Sequence, residues 1–216
     1  DGTILASRKV ALAFDKPIIG FNSGTLGFLA CGSEIGQMFD AILANEFKTS
    51  RRDLLMITEN SDIMPEMHPS YALNDIVISN HERGRLVNLD VFISSTNEGF
   101  KYCADSLIVS TPTGSTAYNL SAGGSIVHPT LNAILMTPVA PFSMSSRPVI
   151  IPAHFNLTIT SPDELFIKVD GRGNHHIEAN KQLHISYDKH IDIVQLDDTF
   201  FKSIEQKLQW NHIIKQ

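Results

Sequence analysis

The sequence predicts two domains: a short α/β segment, then a β-rich domain of antiparallel strands, closed by a helix. Three observations predict this. Ile35, Met38, Phe39, Ile42, Leu43 and Phe47 recur at helical spacing. Beyond them, apolar residues alternate with polar ones in several separate runs, the period of strands with one buried face. Near the end, Phe201, Ile204 and Leu208 stand at i, i+3 and i+7 and bring the helical period back.

Taken in order, Ile4, Leu5 and the run Val10 to Phe14 suit a helix over residues 4–14 that packs on a sheet. Pro17, Ile18, Ile19, Gly20 and Phe21 read as a strand, which runs into a glycine-rich connector, Asn22 to Leu29. Ser33 is a good N-cap with Glu34 in the first turn, so a helix is expected over 34–47 with its apolar stripe in the core. Arg51, Arg52 and Asp53 break that spacing. Strands follow over 76–79, then through Leu89, Val91 and Ile93, through Phe155, Leu157 and Ile159, through Leu165, Ile167 and Val169, and through Leu183, Ile185 and Tyr187. Such strands, separated by turn signals, fit a sandwich or a bent sheet.

One stretch is denser in signals than the rest. Residues 105–129 read D-S-L-I-V-S-T-P-T-G-S-T-A-Y-N-L-S-A-G-G-S-I-V-H-P. Leu107, Ile108 and Val109 predict a buried strand, ended by Pro112, which cannot donate to a ladder. Thr113 and Gly114 are turn residues, and Gly114 can take positive φ. Ser115 or Thr116 can cap a short helix, 117–122, that stops at Gly123 and Gly124. A helix N-terminus leaves free backbone N–H groups at the positive end of its dipole, a place suited to an anionic or heavily hydroxylated ligand. The hydroxyls of Ser110, Thr111, Thr113, Ser115 and Thr116 exceed what one cap requires. An ordinary strand–loop–helix connection uses the same residue types.

The 216 residues, 43% hydrophobic and 19% charged, suit a globular protein with a sizeable core. A net charge of −6 argues against a general nucleic-acid or membrane-surface role. No apolar run approaches the roughly 20 residues of a membrane helix, and no signal peptide is expected. Cys31 and Cys103 form no spaced framework and read as free thiols of a reducing cytoplasm. Nine histidines raise the question of a metal. The densest pair, His175 and His176, would point to opposite faces of a strand, and there is neither H-E-x-x-H nor a cysteine pair, so no metal site is expected. A G-x-S-x-G elbow, a P-loop and a complete G-x-G-x-x-G are absent, which disfavours serine hydrolases, P-loop NTPases and dehydrogenases.

The stretch D-x-L-I-V-S-T-P-T-G-S-T-A-Y-x-L-S-A-G-G-x-I-V-H-P resembles the signature of NAD kinases, which phosphorylate NAD to NADP. Other segments resemble that family in the same order. Asp1, Gly2 and Thr3 match the end of its G-G-D-G-T motif. Residues 20–29 resemble its G-x-N-x-G-x-L-G-F-L segment, and residues 200–210 its terminal F-F-x-x-x-x-x-K-L-x-W helix. The resemblance implies an α/β fold joined to an all-β one. A Rossmann-like N-terminal domain, apparently truncated at its start, would cover 1–48, with 198–216 returning to pack on it. A β-rich, dinucleotide-binding sandwich would cover 49–197. Either an upstream segment carries the motif's two glycines, or the chain starts inside its own active site.

Phosphoryl transfer needs a held donor, an oriented acceptor hydroxyl and a nearby base. The resemblance implies Asp1 as that base, acting on the adenosine 2′-hydroxyl of NAD, with Gly2 beside it. Asn74 and Asp75 resemble the family's N-E/D motif for the adenosine half. An amide beside a carboxylate can hold two vicinal ribose hydroxyls, although alone the pair reads as turn residues before a strand. Asp105, Thr113, Thr116, Ala117, Tyr118 and Ser121 are implied to line the dinucleotide pocket, some reaching in from a neighbouring subunit. Tyr118 can set its ring against a base or ribose. Asp170 and Gly171 resemble the D-G-Q turn near the acceptor, or form a plain hairpin turn. Arg172 stands where many members have glutamine, Cys103 where a basic residue is frequent, and Phe142 where histidine is usual. These departures bear on specificity and regulation. The implied protein is a cytoplasmic homotetramer that uses ATP with Mg²⁺, or polyphosphate, and has no nucleic-acid or membrane partner. Two alternatives stay open: a non-catalytic dinucleotide-binding module, and a lipid kinase of the same superfamily. The second would not be expected to carry T-P-T-G-S-T-A-Y.

Overall fold

The computed structural model describes residues 2–21, 27–29, 35–59, 70–94, 98–195 and 200–208. They fall into two compact units, Asp1–Arg52 with His190–Gln216, and Asp53–Lys189.

In the first unit, helix α1 covers Gly2–Phe14 and buries Ile4, Arg8 and Ala11. The strand expected over 17–21 is reduced to one parallel bridge between Ile18 and Ile193. Ile18 N donates to Asp192 O and Val194 N to Ile18 O, both at 2.8 Å. Pro17 has no N–H to extend that ladder and Gly20 has no side chain to pack in one. Helix α2 covers Ile35–Leu43 and stops short of the expected residue 47. Asn45 takes φ 57°. Glu46 N then donates to Ala41 O at 2.7 Å and Asn45 N to Ile42 O at 3.1 Å, a Schellman ending with asparagine in the left-handed position. The stripe on α2 is not core within this unit. Met38 is buried, but Ile35, Phe39 and Leu43 are 53%, 55% and 84% exposed. Spacing establishes that a helix is amphipathic; it does not decide what covers the apolar face. Helix α4, Phe200–Leu208, buries Ser203 and Ile204 and leaves Phe201 exposed. Lys207 Nζ lies 4.0 Å from the centre of the Phe28 ring. Asn22 to Leu26, Ser33, Glu34 and Trp210 lie outside the described residues.

The strands are β1 Lys48–Glu59, β2 Ser70–Ala72, β3 Asp75–Asn80, β4 Val87–Ile93, β5 Glu98–Ala104, β6 Ser106–Ser110, β7 Ala133–Val139, β8 Val149–Pro152, β9 Leu157–Thr160, β10 Leu165–Val169, β11 Arg172–Ile177 and β12 Gln182–Gln195. They form two six-stranded sheets, β2-β1-β12-β9-β4-β5 and β11-β10-β3-β6-β7-β8. Leu55, Ile57, Leu89, Val91, Leu157, Ile159, Leu183 and Ile185 of the first share one core with Ile76, Ile78, Leu107, Val109, Ile134, Met136 and Ile167 of the second. Of the sandwich and the bent sheet, the structure therefore has the sandwich. Period two holds where one face is buried: β4 alternates strictly, with Val87, Leu89, Val91 and Ile93 inside. The middle strand β6 is buried along its whole length, which is why it reads as an unbroken apolar run. No helix among the described residues is long and apolar enough to cross a membrane.

Candidate functional site

Three turns meet at one end of β3. The first is Leu73-Asn74, which leads into the strand. The second is the turn after β6. The third is the two-residue hairpin turn between β10 and β11, where Asp170 and Gly171 take φ of 50° and 68°, the signs a type I′ turn requires. Asp170 binds the first turn through its carboxylate. Its Oδ1 accepts from Asn74 N at 2.7 Å and Asp75 N at 3.2 Å, and its Oδ2 from Leu73 N at 3.0 Å. Asp170 N donates back to Asp75 O at 2.9 Å. Successive backbone N–H groups converging on one anion form a nest.

The turn after β6 binds the same segment from the other side. Thr111 N donates to Asn74 O at 2.9 Å, and Thr111 Oγ1 to Leu73 O at 2.6 Å. Ser110 Oγ lies 3.0 Å from Asn74 O. Gly114 packs so closely that a Cβ there would overlap the Asn74 carbonyl and Ser110 Oγ. Gly114 is thus required by close approach, and its φ is not positive as the sequence suggested.

The helix after this turn also departs from expectation. A 3₁₀ turn, Thr113–Thr116, precedes helix α3, which is only Tyr118–Ser121. Neither Ser115 nor Thr116 caps it. Ser115 Oγ instead bridges the backbone of Val127, 3.0 Å from both its O and its N. One helical turn has little macrodipole, so the anion-binding argument from a helix end does not carry over. Ser110, Thr111 and Ser115 are fully buried and engaged with backbone, which removes three of the five hydroxyls from any ligand. Asn119, which sequence reasoning missed, holds the turn together. Its Nδ2 reaches Ser115 O and Ser125 O, both at 3.2 Å, and its Oδ1 accepts from Thr137 Oγ1 at 2.7 Å. Gly124 leaves room for that side chain, and Gly123 at φ 84° ends the helix where expected.

Asp75 is 5% exposed. Burial, and then the Asp170 carboxylate beside it, push its pKa up to about 7. These two carboxyls form a poor metal-ligand set. Both oxygens of Asp170 already accept backbone N–H groups, and Asp75 is biased toward its neutral form.

The structure brings Asn74, Asp75, Thr113 and Asp170 to this junction. Thr113 is buried and Thr116 half-buried, Ala117 joins the 3₁₀ turn to α3, and on α3 Tyr118 is 45% exposed and Ser121 exposed. Asp105 is not brought here. It precedes β6 and the turn follows β6, so it sits about 20 Å away at 3.3 Å per strand residue. Gly2 opens α1 with open space around it, and Asp1 lies outside the described residues.

The ATP-NAD kinase C-terminal domain matches residues 73–194, more than half of the chain. The chain is 33% identical over 218 residues to the NAD kinase of Sulfurimonas denitrificans, covering 97% of this chain and 75% of that one. It is 36% identical over 217 residues to the NAD kinase of Gemmatimonas aurantiaca, covering 97% and 75%. Among solved structures it resembles yeast NADH kinase complexed with NADH, with a TM-score of 0.83 and 32% identity, spanning 91% of this chain and 59% of that one. An NAD kinase from Archaeoglobus fulgidus in complex with ATP shares the fold, with a TM-score of 0.72 at 21% identity over 89% of this chain and 74% of that one. Fold and matches define a phosphotransferase of the nucleotide kinases built on this β-sandwich. Within that class, the chain belongs to the NAD kinase family.

Proposed function

We propose that the protein transfers the γ-phosphoryl group of ATP to the adenosine 2′-hydroxyl of NAD, giving NADP and ADP. Family membership supports the reaction. The observation that supports the place is the convergence of Asn74-Asp75, Thr111-Gly114 and Asp170 at one end of β3. The Asn74 side chain is half-exposed there, beside a carboxyl that titrates near neutrality, so the pair can both donate to and accept from ribose hydroxyls. Tyr118 offers an exposed ring for the base, and Thr113, Thr116, Ala117 and Ser121 of the same turn and helix complete the set. Asp1 takes the proton of the 2′-hydroxyl as its oxygen bonds to the γ-phosphorus and the bond to the β-phosphate oxygen breaks. Mg²⁺ would enter with ATP and offset its phosphate charge; the Asp75–Asp170 pair does not suit it as a ligand set. Polyphosphate is the other candidate donor.

Asp105, a strand length from the junction, serves the pocket of a neighbouring copy. The assembly is a cytoplasmic homotetramer, as the family resemblance implies; the exposed Leu131, Phe142, Met144 and Ile150 support association between copies.

The test is coupled NADP production with saturating ATP and Mg²⁺, with a strand ending in Gly-Gly placed ahead of Asp1. Asp1→Asn keeps the shape and removes the base. It is expected to lower kcat by about 10²–10⁴-fold and to leave NAD binding nearly intact. Near-full kcat in the variant would place the base elsewhere. If the wild type makes no NADP, a non-catalytic dinucleotide-binding module becomes the better reading.

A further inference from the structure

At the end of β3 opposite the candidate site, two histidines and a glutamate converge. The ladder between β3 and β10 pairs Asn80 with Leu165 and continues one step further, with His81 N donating to Glu164 O at 2.8 Å. On the far side of β10, Phe166 pairs with His176 of β11. Three neighbouring strands thus deliver His81, Glu164 and His176 to one place. His176 Nε2 is 3.0 Å from Glu164 Oε2, and the His81 and His176 rings are 4.5 Å apart. One ligand atom from each of the three lies within 4.8 Å of the others. His81 Nδ1 is buried and has no hydrogen-bond partner. A buried, unpaired ring nitrogen beside a histidine–carboxylate pair is unexplained by the sheet alone.

We propose that His81, Glu164 and His176 form a divalent metal site, most suited to Zn²⁺. Two imidazoles and one carboxylate are a zinc donor set, with a fourth position left for water. Ca²⁺ and Mg²⁺ prefer oxygen ligands throughout. Tetrahedral zinc with bonds of about 2.0–2.1 Å spaces its ligand atoms about 3.4 Å apart, so side-chain rotation of about an ångström closes the set. The side chains of His176 and Glu164 are 43% and 54% exposed, which leaves them room to turn and an ion room to enter. The ion ties β3, β10 and β11 together at the open end of the hairpin whose tip carries Asp170. The adjacency of His175 and His176 misleads here, because the ligands come from different strands. His175 belongs to the other face.

The experiment titrates zinc chloride alone into metal-stripped protein against a chromophoric zinc chelator, with thermal unfolding in parallel. The expected result is one zinc per chain and a raised Tm. Glu164→Gln and His176→Gln are both at exposed positions and should fold. Each is expected to weaken zinc at least tenfold and abolish the Tm shift, with NADP affinity unchanged. No stoichiometric zinc on the wild type, or equal zinc binding by both variants, would overturn the proposal.

Discussion

Asp75 shows how a single residue takes its chemistry from its surroundings. Its carboxyl titrates near 3.8 when unfolded and near 7 when folded. Between those values the folded state keeps a proton that the unfolded chain has released. Its contribution to stability is therefore fully present below about pH 4 and is lost as pH rises through about 7. Asp75→Asn keeps the shape and removes the titration. Urea unfolding of both proteins from pH 5 to 8 should show the wild type losing stability relative to the variant as pH rises, by at most about 1.4 kcal/mol per pH unit. Parallel pH profiles would show that Asp75 ionises as freely in the fold as outside it.

At the scale of elements, the turn after β6 matters more than the helix it introduces. Its buried hydroxyls fasten it to the Leu73-Asn74 segment, and Gly114 lets the two backbones meet. Gly114→Ala forces a methyl group against the Asn74 carbonyl, which is backbone and cannot swing away. The expected cost is about 1–3 kcal/mol of stability, with weakened NADP affinity because Asn74 is displaced. Chemical denaturation and calorimetry measure the two effects. A variant with the stability and affinity of the wild type would disprove the close approach.

For the molecule as a whole, the prediction concerns assembly. Leu131, Phe142, Met144 and Ile150 are exposed apolar side chains, and Asp105 lies a strand length from the junction. Light scattering at micromolar concentration is expected to find four chains per particle. Phe142→Asp combined with Met144→Asp, both at highly exposed positions, should dissociate the particle and weaken NADP binding. A monomeric wild type that binds NADP tightly would contradict this.

The sequence by itself determined the change from helical to strand periodicity and back, and the buried faces of strands such as β4 and β10. Alternation depends only on local backbone geometry, which any chain reveals. It also determined the family, because the signature of residues 105–129 is long and specific. It placed Gly123 at the helix end, where a left-handed residue is needed. Only the tertiary structure decided which hydroxyls are spent inside the fold, since that depends on Leu73 and Asn74 meeting a turn 38 residues later. Only the structure exposed the α2 stripe, since the cover of an apolar face is not a local property. His81, Glu164 and His176 were likewise invisible as a set, because pairing across β3, β10 and β11, and not spacing along the chain, brings them within 4.8 Å.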